Sequence, residues 1–401
     1  MKAGFYPKLA LMGVKKNGRL YVPYLLSCAF MAAVLYVIAF LASTPALYVV
    51  NGKLNGAGTT TVQLVMRLGS LVISVFAALF LFYTNSFLLR RRKKEFGLYS
   101  VLGMDRGALG TILFWETLMA AAFTLTVGLG FGVLLSYLSQ AVLLRLLSLP
   151  AVAFSVSLNA LRQCAVTFAV IFALLYARGV LSLRHAQGAA LLKSESVGER
   201  PPKSQWLLVL PGLALLLGAY DIAATIKDPV QAILLFFVAV IMVILATYLL
   251  FISGSVTLCR ALQKNEAFYY KKRNFVSLSS LTYRMKRNGA GLASICILST
   301  MVLVMLAATA SLYFGAEDAI SALFAQNPYW QAGEMAEIRA EFFSLYGSLF
   351  FLGILLSVVF LLATLLMLYY KQVVEGFEDA SRFAVMQRVG MTRRDIRESV
   401  N

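Results

Sequence analysis

Residues that could carry out catalysis or bind a metal are scarce in this sequence. Glu116 is a carboxylate inside an apolar run, where an ionisable group indicates either a structural ion pair or the handling of a proton or substrate. His185 is the only histidine, so a multi-histidine metal site is excluded. The four cysteines stand in apolar runs without disulfide or metal spacing and are expected to be small packing residues: Cys28, Cys164, Cys259 and Cys296. No catalytic residue, metal site or bound cofactor is predicted.

The stretch that most suggests contact with another molecule follows the second apolar run. It begins with five basic residues, which are expected to anchor the chain at the inner leaflet: Arg90, Arg91, Arg92, Lys93 and Lys94. Phe96 and Tyr99 then recur at helical spacing with Leu102 or Gly103, and Gly103 can end the helix in the left-handed conformation. The pattern predicts a short helix at about 95–104, just under the membrane. It would be either an interfacial anchor or a docking helix for a soluble partner.

A second copy of this stretch favours docking. Phe383 corresponds to Phe96 and Val385 to Leu98. The remaining matches follow at the same offset without gaps: Val389 with Leu102, Gly390 with Gly103, and Met391 with Met104. The first position differs, since Arg382 stands where the first copy has Glu95. A membrane anchor does not need a Gly-Met pair at a fixed distance from a Phe, whereas two docking helices for a two-fold symmetric partner do.

The composition sets the fold class. The chain has 401 residues, of which 60% are hydrophobic and 13% charged, and a soluble domain could not bury so much apolar surface. An all-α polytopic membrane protein is therefore predicted. Its eight spans are expected at about 21–44, 68–89, 111–140, 163–183, 206–220, 232–258, 291–314 and 342–370. Gly128 and Gly132 form a GxxxG pair in the third span, a spacing that suits close helix packing but is common by chance.

The net charge of +18 is explained by topology. With both termini in the cytoplasm, 30 of the 36 Lys and Arg residues fall on inside segments. The exceptions are Lys53, Arg67, Arg145, Arg162, Lys227 and Arg339. The positive charge thus belongs at the anionic inner leaflet, and a nucleic-acid partner is excluded.

A further repeat divides the chain. Lys15-Lys16-Asn17-Gly18 precedes the first span, and Lys286-Arg287-Asn288-Gly289 precedes the seventh. We therefore expect a first unit at 1–183, a linker with two extra spans at 184–259, and a second unit at 260–401. The second unit stops where the counterparts of the third and fourth spans should begin, so the chain is expected to be incomplete at its C-terminus.

The residues Arg91 to Met104 resemble the coupling-helix motif of FtsX-like permeases of ABC transporters. The unit–spacer–unit layout and the segment from Glu375 to Met391 are most similar to the bacitracin- and lantibiotic-resistance branch (BceAB-type). That branch has ten spans and a large extracellular domain between spans seven and eight. Only the acidic segment 315–341 stands there in this sequence, so peptide recognition by such a domain is not carried over.

The resemblance implies a bacterial cytoplasmic-membrane permease without enzymatic activity, and no G-x-x-x-x-G-K-S/T phosphate loop is present in the sequence. Two copies of a soluble ABC ATPase, holding ATP and Mg, would dock on the two motifs. Further partners implied are a peptide or lipid antibiotic, a lipid-linked cell-wall precursor and a membrane sensor histidine kinase. The alternatives are an FtsX-like permease for lipoproteins or cell division, a non-transporting scaffold for a kinase, and an intramembrane enzyme acting on lipid carriers. The last would need clustered acid, base or metal ligands, and Glu116 stands alone.

Overall fold

A computed structural model describes most of the chain. The described residues are 4–43, 49–50, 53–54, 56–146, 153–184, 206–225, 229–264, 269, 272–326 and 332–388. Nearly all of them are helical. Besides a few turn and loop residues, the described part contains an antiparallel pair of two-residue strands, Val49–Val50 (β1) and Lys53–Leu54 (β2). The predicted all-α fold class is confirmed, with this small hairpin as an addition.

The described helices follow one another along the chain with short connections. They are α1 (Phe5–Lys16), α2 (Gly18–Ser43), α3 (Gly56–Val101), α4 (Arg106–Leu146), α5 (Leu158–Arg184), α6 (Trp206–Thr225), α7 (Pro229–Leu249), α8 (Ser255–Lys264), α9 (Lys272–Phe314), α10 (Ala316–Gln326) and α11 (Ala332–Arg388), with a π-helical turn at Leu250–Gly254 between α7 and α8. Eight helical segments among the described residues are long and apolar enough to cross a membrane, and they coincide with the eight predicted spans.

Two helices run farther than the sequence analysis expected. The second span and the predicted docking helix are a single helix, because α3 continues for 46 residues through the basic cluster to Val101. No proline or glycine interrupts residues 70–96, so nothing in that segment ends the helix. The eighth span likewise continues into the second motif, since α11 is 57 residues long and ends at Arg388. The motifs are thus extensions of spans and not separate helices.

The chain divides into two compact units. The first comprises Met1–Val197 with Met301–Leu366, and the second comprises Gly198–Thr300 with Met367–Asn401. The division at 183 and 259 that the sequence repeats suggest remains a prediction.

The centre of the first unit is α2. Nearly every side chain from Met31 to Ala42 is buried, and α2 packs most extensively against α4. The buried stripe of α4 takes every fourth residue and consists largely of small side chains: Glu116, Ala120, Thr124, Gly128, Gly132, Ser136 and Gln140. A Cβ atom on Gly128 would lie 2.7 Å from the carbonyl oxygen of Ala29. The GxxxG pair therefore lets two backbones meet, as small residues do at membrane helix interfaces.

The spans that carry the two motifs also pack on each other within the first unit. Gly69 of α3 lies against Leu352 of α11, and the Phe76 and Phe360 rings meet edge to face at 4.6 Å. Leu352 and Phe360 stand at the repeat offset from Val65 and Ile73, and all four of these side chains are buried. Two side-chain contacts thus join α3 and α11 within the first unit.

The second unit contains α6 and α7, which pack on each other, and the π-helical turn that follows them. Gly289, from the second Asn-Gly repeat, packs against this turn. A Cβ atom on Gly289 would lie 2.9 Å from the carbonyl oxygen of Phe251.

Candidate functional site

The end of α3 is a rigid turn into α4. Gly103 has a φ of 94°, as predicted for the residue that ends this helix. The N–H of Met104 donates to the carbonyl of Tyr99 at 3.0 Å, and the N–H of Gly103 donates to that of Ser100 at 3.2 Å. This hydrogen-bond pair is the Schellman motif, which satisfies the last carbonyls of a helix.

The next helix begins with an equally clear signal. Asp105 precedes α4, and its carboxylate accepts from the N–H groups of Gly107 and Ala108, both at 3.2 Å. A carboxylate at this position satisfies free donors and favours the positive end of the helix dipole. Residues 102–105 are therefore a tight connection whose shape is determined by local chemistry.

One side of this helix end is apolar and faces outward. Leu98 is 52% exposed, Val101 63% and Leu102 73%, and Gly103 is exposed beside them. We call these four residues the exposed docking face. They lie within six consecutive residues at the C-terminal end of α3, so they form one patch and not scattered surface residues. Val101 was not singled out from the sequence, and the structure adds it.

The opposite side of the same helix end is buried in the protein itself. Phe96 is 0% exposed and packs with Ala10 and Leu109, among other residues. Tyr99 and Met104 are partly buried against the same cluster. The assignment of Phe96 as a residue inserted into a partner does not fit this position, because no surface of Phe96 is left to bury. The helical period separates the Phe96 side of this helix end from the Leu98 side. Periodicity alone does not show which of the two sides faces outward.

A charged cluster lies one turn before the docking face. Arg92 is 3% exposed and Glu116 4%, and Arg92 Nη2 is paired with Glu116 Oε1. Arg92 Nη1 also lies 2.9 Å from Glu95 Oε2. Tyr21 donates its hydroxyl proton to Glu116 Oε2 at 3.1 Å. Asn17 donates from Nδ2 to Glu95 Oε1 at 2.9 Å. We call these five residues the Arg92 cluster.

The guanidinium of Arg92 is also enclosed by aromatic rings. Its central carbon lies 5.2 Å from the Phe96 ring centre and 6.0 Å from that of Tyr21, within the range of cation–π contact. Burial alone lowers the pKa of Arg92, but Tyr21, Glu116 and Glu95 counter it and the net shift is upward. The cluster therefore holds a permanent positive charge between two carboxylates.

The structure separates Arg92 from the basic residues around it. The sequence analysis assigned Arg92 to the inner-leaflet anchor, but a side chain that is 3% exposed cannot reach lipid headgroups. The side chains of Arg90, Arg91, Lys93 and Lys94 lie outside the described part of the structure, so their anchoring role stays a prediction. Of the two roles left open for Glu116, the observed geometry supplies the ion pair.

Three members of the site escaped the sequence analysis as functional residues. Asn17 was recognised only as part of a repeat, and Tyr21 only as the start of a span. Gly13 has no motif around it, yet it is the point where α1 meets the cluster. A Cβ atom there would lie 2.7 Å from Arg92 Nη2. No signal in the sequence pairs residues so far apart along the chain.

A cleft adjoins the cluster between α2, α3, α4 and α5. Its polar lining includes Tyr21, Asn85, Arg92, Glu116 and Thr117, and its other walls are apolar. Among the described residues, no group of three or more His, Cys, Asp or Glu side chains could hold a metal ion.

The second motif is only partly visible. α11 includes residues 382–388, but Val389, Gly390 and Met391 lie outside the described residues, as do the side chains of Arg382, Phe383 and Val385. The docking assignment of these six residues therefore stays a prediction.

The fold and the site define a class: a multi-pass membrane protein with repeated spans, one of which carries an apolar turn beyond the membrane-spanning part. Residues 67–187 match the family "FtsX-like permease C-terminal". This segment includes the second, third and fourth spans, the docking face and the central residues of the Arg92 cluster.

Similar proteins point the same way. The chain is 28% identical over 312 residues to "Uncharacterized ABC transporter permease YvcS" of Bacillus subtilis, covering 77% of this chain and 47% of that protein. It is 28% identical over 320 residues to "Bacitracin export permease protein BceB" of Halalkalibacterium halodurans, covering 77% and 48%. It is 27% identical over 321 residues to the Bacillus subtilis protein of the same name, covering 77% and 49%.

This chain is therefore a multi-pass membrane protein that contains an FtsX-like permease segment and is similar over 77% of its length to ABC transporter permeases. The alignments span about half the length of the curated relatives it matches.

Proposed function

We propose that the exposed docking face of α3 binds a soluble ABC ATPase and that α3 carries the resulting force into the membrane. The observation that supports this most directly is the outward position of Leu98, Val101 and Leu102 at the end of a continuous 46-residue helix. An apolar patch of this kind beyond a span has no lipid core to cover it and is suited to a protein partner.

The continuity of α3 gives the proposal its mechanism. Since no break separates the docking face from the span, a push at Leu102 tilts or shifts the whole helix. The contacts of Gly69 with Leu352 and of Phe76 with Phe360 pass that movement to α11. α11 itself extends into the second motif. Two ATPase copies closing on ATP and Mg would then act on two connected levers.

The Schellman turn makes the docking face stiff. Gly103 and Asp105 determine the path of the chain between α3 and α4, so a force applied to the turn is not absorbed by a loose loop. α4 begins directly after this turn and packs along α2. The third span would therefore move together with the second.

The biological role of the transporter is proposed from its similarity to the relatives. Two of them are named bacitracin export permeases. By this likeness the chain acts at the bacterial cytoplasmic membrane in resistance to, and sensing of, antimicrobial peptides of the bacitracin and lantibiotic type. Both described ends of the chain would face the cytoplasm. Its further partners would be the peptide, its lipid-linked cell-wall target and a membrane sensor histidine kinase.

Copurification tests the docking step. Leu98→Asp combined with Leu102→Asp places two charges on the docking face, and we expect it to abolish copurification with the proposed ABC ATPase partner. Val156→Asp is the control, since Val156 is also exposed but lies between α4 and α5 at the other end of α4. Undiminished ATPase binding by the double variant, with both variants equally well folded, would refute docking at this face.

A further inference from the structure

The N-terminal helix α1 is packed on the docking end of α3. Ala10 and Gly13 of α1 are buried, and Tyr6 and Leu9 pack against the cluster that contains Phe96. The same cluster includes the first turns of α4. α1 is thus held between the residue that backs the docking face and the helix that leaves it.

A continuous polar chain reinforces this apolar contact. Asn17, at the end of α1, donates from Nδ2 to the carbonyl of Gly13 at 3.1 Å and to Glu95 Oε1 at 2.9 Å. Glu95 is paired with Arg92, and Arg92 with Glu116 of α4. Arg92 is the link through which the end of α1, the end of α3 and the start of α4 are joined.

The contact between α1 and Arg92 depends on Gly13, which has no side chain. A Cβ atom on Gly13 would lie 2.7 Å from Arg92 Nη2 and 3.0 Å from its central carbon. The helix backbone therefore rests directly on the guanidinium. The ion pairs of Arg92 do not by themselves require a glycine in α1. The close approach of the two groups does.

We infer that Arg92 is a positioning residue that locks α1 to the docking end of α3, so that a movement imposed on the docking face also moves α1 and the start of α2. The inference rests on the proposed function for the source of the movement. The lock itself belongs to this chain alone and exists without a partner.

The chemistry of the position suits this role. A guanidinium offers five donors in a planar fork, so it can bind two carboxylates through separate nitrogen atoms, whereas an ammonium has a single nitrogen and three donors. Removing it leaves Glu95 and Glu116 without their shared partner, and Glu116 is almost completely shielded from water. The residues at the same repeat offset are Asp379 and Arg382, which exchange the two charges. The lock is accordingly assigned to the first repeat.

Amide hydrogen exchange of the purified chain in nanodiscs measures the lock directly. Arg92→Met should accelerate exchange across Phe5–Lys16 by about tenfold or more, the factor expected when one hydrogen bond to a charged group is lost. Arg92→Lys keeps the charge and should restore part of the protection. Exchange in the middle of α4, around Thr124, should stay unchanged and reports that the fold is intact.

A second perturbation reaches the lock from the other side. Gly13→Ala leaves every charge in place but pushes α1 off the guanidinium, so it should also accelerate exchange in α1. Gly18→Ala is the matched control, because nothing lies within 4 Å of a Cβ atom there. Unchanged exchange of α1 in both Arg92→Met and Gly13→Ala would overturn the inference, as would equal acceleration in Gly18→Ala.

The complex with the ATPase tests the transmission. In the unaltered chain, ATP with vanadate should change exchange in α1. In Arg92→Met the ATPase should still copurify, because the docking face is untouched, but α1 should no longer respond. A persistent response would overturn the inference. If the proposed docking is wrong, ATPase binding will survive the double substitution Leu98→Asp and Leu102→Asp. Amide hydrogen exchange of α1 in the isolated chain would still report the lock.

Discussion

Phe96 and Leu102 belong to the same motif, but the structure predicts opposite consequences when each is replaced by alanine. Phe96 is 0% exposed, and truncating a fully buried phenylalanine typically lowers the free energy of unfolding by about 3–5 kcal/mol. Leu102 is 73% exposed, and truncating a surface side chain usually changes stability by less than about 0.5 kcal/mol. Phe96→Ala should therefore weaken the fold, and Leu102→Ala should leave it intact.

The effect on ATPase binding is reversed. Burying a whole leucine side chain contributes about 1.5–3 kcal/mol. Because 73% of Leu102 is exposed before docking, its burial by a partner would contribute about 1–2 kcal/mol. Losing that amount weakens binding by about five- to thirtyfold. Phe96 is already buried, so Phe96→Ala should leave the affinity of the molecules that remain folded nearly unchanged.

Two assays separate the outcomes. Size-exclusion chromatography after heating gives the thermal midpoint of each variant, which reports its stability. Titration of a labelled ATPase onto the folded chain in nanodiscs reports affinity. If Phe96→Ala lost affinity while keeping its thermal midpoint, or if Leu102→Ala lost stability and bound normally, the assignment of buried and docking faces would be refuted.

Two further predictions concern glycines that shape the site. Gly128→Ala should lower the free energy of unfolding by about 1–3 kcal/mol, because the new methyl group meets the backbone of α2, whereas Gly130→Ala, with nothing within 4 Å, should not destabilise the fold. Thermal midpoints of the two variants check this, and equal midpoints would contradict close packing at Gly128. Gly103→Ala should cost about 1–2 kcal/mol because φ is 94° there, while Gly110→Ala meets open space. A thermal midpoint of Gly103→Ala equal to that of Gly110→Ala would argue against the left-handed turn.

Sequence patterns predicted the features that local chemistry determines. Apolar runs of sufficient length identified the eight spans found in the described part of the chain, because hydropathy largely decides which segments can cross a bilayer. The left-handed conformation of Gly103 followed from a glycine placed at the end of an apolar helical pattern. The GxxxG spacing of Gly128 and Gly132 was ambiguous by itself, and the structure shows that it forms a close helix contact.

Features that depend on tertiary packing were not predicted in the same way. Arg92 has the same residue type and neighbours as other members of a basic run, and only the carboxylate of Glu116 on another helix distinguishes it. The two faces around Phe96 and Leu98 are both apolar, so periodicity could not identify the buried one. α1 decides this, since it covers Phe96 and leaves Leu98 exposed.

The continuity of α3 is compatible with its sequence. The basic run marks the end of the membrane-spanning part, but charged residues do not interrupt a helix. Arg and Lys are good helix formers, and no breaker stands between residues 70 and 96. The membrane-spanning part and the helix end at different positions, and in α3 these positions are more than a turn apart.

The central claim is that the exposed end of α3 is where the ATPase binds. A photo-crosslinking amino acid at Leu102, compared with the same substitution at Val156, tests it most directly in the assembled complex. The account predicts an adduct of permease and ATPase from position 102 and none from position 156. An active complex that forms no adduct from position 102 would contradict it.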